Sequence, residues 1–254
     1  MAGFSDHTAG PAGIQLVPHP AVPVVVDSGG GLLGEHASGG QRRGSLVAGL
    51  APVGVAGRGP QNFECLQVRL SPVVAQAVLG ASAELSGTVV ALEDLWGREA
   101  LRIQDQLRAA ASWEVRFAIA EAVLARRQQA SRAADPEVTF AWSQLVASRG
   151  QVRVERLAAE TGWSRKRLWS RFRSQIGLTP KRAARLVRFD HAARLLAAGG
   201  SAAGAAADSG YADQSHLHRD VLAFAGMTPT AVAVTPFLAV DDVAWPDALS
   251  AASA

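Results

Sequence analysis

The spacing of hydrophobic positions changes character twice along the chain. Up to residue 62 the sequence is rich in Gly, Pro and Val, with an apolar run from Val22 to Val26 and glycine-bearing stretches at Ser28 to Gly31 and Ser38 to Gly40. That pattern predicts short strands joined by turns, and no helix. Toward Leu70, the apolar Leu66, Val68 and Leu70 alternate with Gln67 and Arg69, the period of two of a half-buried strand over Phe63 to Leu70. Ser71-Pro72 then reads as a helix cap followed by proline at the first helical position, leading into Val73 to Leu79.

From Arg98 the period becomes helical. Leu101 and Leu107 belong to one stretch, and Val115, Ile119, Val123 and Leu124 to the next. Ser112 and Asp135-Pro136 mark two further helix starts, the second leading through Phe140, Trp142, Leu145 and Val146 to Gly150. Three helices are therefore expected after the strands. The end from Pro236 to Ala254 carries Asp241, Asp242 and Asp247 among many alanines, which predicts an acidic, frayed tail. Trp245 within it is expected to dock on its own protein.

Between these regions the pattern repeats. Gly162-Trp163 recurs as Gly210-Tyr211, and Leu168, Phe172, Gly177, Thr179 and Pro180 recur as Leu217, Val221, Gly226, Thr228 and Pro229. Two matching units imply one structural unit used twice. Each reads as a small Ala-rich helix, a glycine turn and a longer helix. In the first copy Ser164 is an N-cap, Leu168, Phe172 and Ile176 fall on one face, and Arg165, Lys166, Trp169, Ser170 and Arg173 point outward. In the second copy Asp213 or Ala212 caps a helix that buries Leu217, Val221 and Ala225 and turns Gln214, Ser215, His218 and Arg219 outward. His216 is read as supporting the turn. Thr179-Pro180 opens a connecting helix from Pro180 to Ala198 whose Leu186, Phe189, Ala193 and Leu196 line one side, and which stops at Gly199-Gly200. A second longer helix held across a glycine turn has the shape that enters a DNA major groove. The connecting helix spans roughly 28 Å at about 1.5 Å per residue, against about 34 Å between major-groove segments on one face of DNA.

Charge sharpens that reading. The net charge is only +3, yet from Arg149 to Pro229 there are 14 Arg or Lys against six Asp or Glu, a net of +8. Nine of those basic residues lie between Ser164 and Arg188 with no acid among them. Such a single-sign field is the footprint of a surface for a polyanion. At 48% hydrophobic and 19% charged residues the chain is a folded protein, and no run of apolar residues reaches the length of a membrane span. The start carries Asp6 and no basic flank, so it does not read as a signal peptide, and a cytoplasmic location is expected.

Residues from about 150 to 233 resemble the DNA-binding region of the AraC/XylS-type transcription regulators. The resemblance rests on Leu157-Ala158, Gly162, Ser164, Leu168, Arg171-Phe172, Gly177, Pro180, Arg188, Ala192, Arg194-Leu195-Leu196, Gly210-Tyr211, Asp213-Gln214-Ser215-His216-Leu217, Arg219 and Gly226-Met227-Thr228-Pro229. It implies two helix-turn-helix units joined by a helix and bound to double-stranded DNA. It also places base contact on Lys166, Trp169 and Ser170 in the first copy and on Ser215 and Arg219 in the second. Arg182, at the start of the connecting helix, is expected near the DNA backbone. Val221 stands where the family usually has phenylalanine, and Ala203-Gly204-Ala205 where it prefers larger aliphatics, so the second unit is expected to pack less tightly. Trp169 is unusual at a base-reading position: it either meets DNA through sugar or a thymine methyl, or covers apolar surface.

The fold class expected is α+β. A small β-rich sensor or regulatory region covers 1–97, a helical connecting segment 98–149, an all-α double helix-turn-helix domain 150–233, and an acidic disordered tail 234–254. The resemblance further implies a bacterial regulator whose N-terminal part answers a small-molecule effector or dimerises, with RNA polymerase as a further partner. The 62 residues before Phe63 are few for a complete ligand-holding barrel, so a portion present in relatives is expected to be missing. The other class of reading is a small-molecule-binding protein or enzyme with an accessory DNA-binding tail. His7, His19 and His36 lack metal-ligand spacing and are expected as lone surface histidines, and His216 and His218 point to different helix faces. Cys65, the single cysteine, reads as a small buried hydrophobe. With no phosphate-binding glycine motif and no acid–base or nucleophile constellation, neither a cofactor, a metal nor an enzyme activity is expected.

Overall fold

The computed structural model describes residues 1–6, 13–28, 33–35, 41–51, 55–58, 63–81, 83–131 and 133–234. Gly29 to Gly31, Ser38 to Gly40, His7, His36, Trp245 and the tail from residue 235 lie outside them. The N-terminal strands form two antiparallel sheets. The first runs in the order β1 (Ala2–Asp6), β8 (Phe63–Leu70), β3 (Val22–Asp27), β6 (Leu46–Ala48), β9 (Val89–Ala91). The second runs β2 (Gly13–Leu16), β7 (Val55–Arg58), β4 (Leu33–Glu35), β5 (Gln41–Arg43). β3 lies between β8 and β6, with Val24 opposite Val68 on one side and Val47 on the other. Only Val25 of this strand is less than buried, which explains why its sequence is a continuous apolar run rather than an alternation.

Helix α1 (Pro72–Leu79) follows β8, and a short helix α2 (Leu92–Trp96) follows β9. Neither β9 nor α2 was expected from the sequence, since three and five residues are too few to set a period. The three expected helices are α3 (Arg98–Ala109), α4 (Trp113–Gln129) and α5 (Pro136–Ala147). Their buried faces hold Ala100, Ile103, Leu107, Ala120, Val123, Val138, Ala141, Trp142 and Leu145. Leu101, Val115, Phe140 and Val146, which belong to the same apolar pattern, are exposed. Three of the inward positions are the small Ala100, Ala120 and Ala141, so size alone does not mark the buried face.

The caps also differ from expectation. Ser112 accepts from the Val115 amide as an N-cap should, but Ser71 and Asp135 make no side-chain cap bond. The Ser71 carbonyl takes the amides of Val74 and Ala75 instead, at 2.9 and 2.8 Å. Asp135 is committed elsewhere, to Arg171. His19 is likewise corrected: it is buried, its Nδ1 accepts from the Ala21 amide at 3.2 Å, and burial with Arg69 and Arg194 nearby holds its pKa well below the usual histidine range. Cys65 is buried as expected, and its thiol is pushed up to about 12, chiefly by desolvation.

The rest of the described chain is helical: α6 (Val154–Glu160), α7 (Arg165–Ile176), α8 (Pro180–Ala197), α9 (Ala202–Asp208), α10 (Gln214–Ala225) and α11 (Pro229–Ala233). One apolar cluster runs without a break from the valines of β3 through α1 and α5 to Leu168, Phe189 and Leu217. The turn at 83–87 is wedged into this junction. A Cβ on Gly49 would lie 1.7 Å from the Leu85 carbonyl oxygen, and one on Gly177 would lie 2.1 Å from Ser86 Oγ. Only glycine permits both approaches, so the sheet and the end of α7 close on the same turn.

Candidate nucleic-acid interface

The two expected units are built as the repeat predicts. In the first, α6 is followed by Gly162 at φ +67°, and Ser164 caps α7 by accepting from the Arg167 amide. Leu168, Phe172 and Ile176 are fully buried, and α7 ends on Gly177 in the left-handed conformation. In the second, Ser201 caps α9, Gly210 has φ +70°, and Asp213, the residue that fills the cap, accepts from the His216 amide at 2.6 Å. α10 then buries Leu217, Val221 and Ala225, together with Asp220 and Phe224. His216 stands edge-on to the Tyr211 ring at 5.1 Å, in the supporting place expected for it.

The outward residues of α7 are where the sequence put them. Arg165, Lys166, Trp169, Ser170 and Arg173 are all exposed. Arg165 reaches Glu155 of α6 at 3.4 Å, and the Arg173 guanidinium lies 5.3 Å from the centre of the Trp169 ring. Trp169 is 45% exposed. A flat aromatic face stiffened by a cation four residues on is suited to contact with a sugar or a thymine methyl. On α10, Gln214, Ser215, His218 and Arg219 are exposed, and Arg219 Nε donates to the Ser215 carbonyl at 3.3 Å. Arg182 is exposed in the first turn of α8, where its amide is capped by Thr179.

Not every basic residue of the run between Ser164 and Arg188 is available to a polyanion. Arg171 is spent on Asp135, with two hydrogen bonds of 2.8 and 2.9 Å. Arg185 reaches across from α8 to the buried Asp220 carboxylate at 2.7 Å, a bond that raises the Arg185 pKa. Arg188 donates to the Gly210 carbonyl at 3.5 Å and lies 5.4 Å from the Tyr211 ring centre. These three arginines hold helices together, which charge counting alone misses. Asp220 carried the signal: it follows Leu217 by three residues and precedes Phe224 by four, a lone acid on an apolar stripe.

The connecting helix is correspondingly more than a rod between two units. Its last helical residue is Ala197, one short of expectation, and Leu186, Phe189, Ala193 and Leu196 are buried as expected. Besides Arg185 and Arg188, His191 Nδ1 meets Ser209 Oγ at 3.0 Å, and Phe189 packs on Phe224 with ring centres 5.3 Å apart. The second unit is thus fastened along one side of α8, on both sides of the turn at Gly210.

Among the described residues there is no cluster of His, Cys, Asp or Glu able to hold a metal, and no helix long and apolar enough to cross a membrane. Residues 157–233 match the family model described as a helix-turn-helix domain. No curated protein matches the chain by sequence. Among solved structures, ToxT from Vibrio cholerae O395 superposes with a TM-score of 0.51 at 11% identity, over 92% of this chain and 96% of ToxT. Unsaturated-fatty-acid-bound ToxT from Vibrio cholerae strain SCE256 gives 0.51 at 9% identity, over 92% of this chain and 94% of that one. The likeness shows a shared α+β fold, in which N-terminal strands precede helices and a helical C-terminal region. The matched region and the duplicated geometry lead to one assignment: the chain carries a helix-turn-helix domain over residues 157–233.

Proposed function

We propose that this protein is a sequence-specific transcription regulator that binds double-stranded DNA with α7 and α10 in consecutive major-groove segments. The observation that carries the reading is the duplicated reading helix. Both copies are capped, turn a buried apolar stripe inward and leave polar side chains exposed: Lys166, Trp169, Ser170 and Arg173 on α7, and Gln214, Ser215, His218 and Arg219 on α10. Side chains of this kind read base edges, while Arg182 and Arg165 suit phosphates. The N-terminal sheets and the 98–149 helices form the regulatory part, which answers a small-molecule effector, and the chain works in the bacterial cytoplasm beside RNA polymerase, alone or as a homodimer. The effector part of the reading is supported by the ToxT structure solved with an unsaturated fatty acid. Nothing in the reading calls for a cofactor, a metal or catalysis. The test is a footprint on duplexes selected by the protein from a randomised pool. Enrichment of a defined site supports the reading, and binding that never distinguishes one sequence from another overturns it.

A further inference from the structure

A cleft of about 480 Å³ lies outside the reading helices, lined by Gln144, Ser148, Arg149, Gln151, Arg153 and Arg156 among others. None of the lining residues is acidic. Arg149, Gln151, Arg153 and Arg156 are exposed, and of the three arginines only Arg156 makes an ion pair with a described residue, reaching Glu160 at 2.8 Å.

The place of the cleft gives it meaning. On one side Arg153 lies two residues before Glu155, the residue that meets Arg165 in the first turn of α7 at 3.4 Å. On the other side Gln151 packs against Gly210, where an added Cβ would come within 3.0 Å of its side chain. Gly210 is in the turn that leads into α10. Gly150, between the lining residues Arg149 and Gln151, sits where a Cβ would lie 2.1 Å from the Ala184 carbonyl oxygen, so this stretch lies close against α8. The cleft is therefore linked to the start of α7 through Glu155 and to the turn before α10 through Gln151 and Gly210.

We infer that the cleft is a DNA-phosphate site, in which Arg149 and Arg153 neutralise the backbone strand that passes between the two major-groove segments. The inference rests on the proposed function. Two reading helices in consecutive major-groove segments leave a stretch of backbone facing the protein between them, and two guanidiniums there, neither in an ion pair with a described residue, replace its condensed counterions. The contacts are to phosphate, so they strengthen binding to every sequence alike and carry no base preference.

The test compares the full chain with a double variant, Arg149→Gln with Arg153→Gln, on a mixed-sequence duplex and on a selected duplex across a salt series. A second double variant, Arg98→Gln with Arg102→Gln, removes the same charge from the exposed face of α3. The expected result is a plot of log affinity against log salt about 1.8 less steep for the cleft variant, with the selected-to-mixed ratio unchanged and the α3 variant equal to wild type. An unchanged slope in a cleft variant whose circular dichroism matches wild type overturns the phosphate site and leaves the reading helices' role standing. An equal fall in the α3 variant overturns it too, because the effect is then one of net charge. A wild-type protein with no salt-dependent DNA binding overturns both readings together.

Discussion

In the first helix-turn-helix unit the reading helix is held from the N-terminal side of the molecule: Arg171 of α7 pairs with Asp135 ahead of α5, Phe172 packs on Trp142, and Gly177 closes on the turn at 83–87. In the second unit α10 is held by α8, through Arg185 on Asp220, Phe189 on Phe224 and Arg188 against the turn at Gly210. The reading faces differ as well. The outward set named on α7 holds three cations, Arg165, Lys166 and Arg173, and a tryptophan, whereas the set named on α10 holds one arginine beside neutral groups. One repeat has thus been given two anchors. Among the described residues the N-terminal part packs directly on α7, whereas the anchors of α10 named above are made by α8.

The largest effect is expected from breaking the first anchor. Phe172→Ala should cost about 3 to 5 kcal/mol in chemical denaturation, because Phe172 is fully buried and leaves a cavity beside Trp142. A loss below about 1 kcal/mol would mean that the first unit does not share the continuous core.

Breaking the second anchor comes next. Arg185→Ala leaves the Asp220 carboxylate, 4% exposed, without its partner, while Arg185 itself is 40% exposed. Fully buried pairs lose about 3 to 5 kcal/mol when halved and surface pairs under about 1, so about 2 kcal/mol is expected here. The double variant with Asp220→Ala should recover part of that loss, and a double-mutant cycle that shows no coupling would remove this anchor from the account.

The comparison of reading faces is sharpened by two single changes. Arg219→Ala should cost about 1 to 3 kcal/mol of discrimination between a selected and a mixed-sequence duplex if it pairs with guanine. Arg182→Ala should weaken both duplexes equally and flatten the salt dependence by about 0.9. Equal losses on both duplexes for Arg219→Ala would count against base reading by α10.

The smallest effect is one of acidity. Burial lowers the pKa of His19 and of His191, so the folded state binds fewer protons than the unfolded chain in this range. The stability each contributes is complete above the unfolded value of about 6.5 and is lost as pH falls toward the lowered folded values. His19→Asn keeps an acceptor for the Ala21 amide and should flatten the loss below pH 6.5 in thermal melts. A melt profile identical to wild type would show that His19 does not drive the acid sensitivity.

Local periodicity made most of the fold readable. Capped helices with long apolar stripes, such as α7 and α8, could be bounded to within a residue, and the repeat identified α10 even where Val221 replaces a larger side chain. The outward positions followed from the same stripe. What the sequence could not convey was pairing over distance. Arg171, Arg185 and Arg188 look identical to the cations left on the surface, and only the fold shows that each meets a group 22 to 36 residues away. The short β9 and α2 were hidden for want of length. His19 is buried although nothing local in the sequence marks it.

The central claim is that the two units read one face of DNA as a fixed pair, and footprinting the full chain on a selected duplex tests it most directly. The account predicts two protected major-groove segments one helical turn apart, about 10 base pairs centre to centre. With the second unit fastened along α8, inserting five base pairs between them should abolish tight binding, since half a turn moves one segment to the far side. Full protection of both displaced segments by a single chain would contradict it.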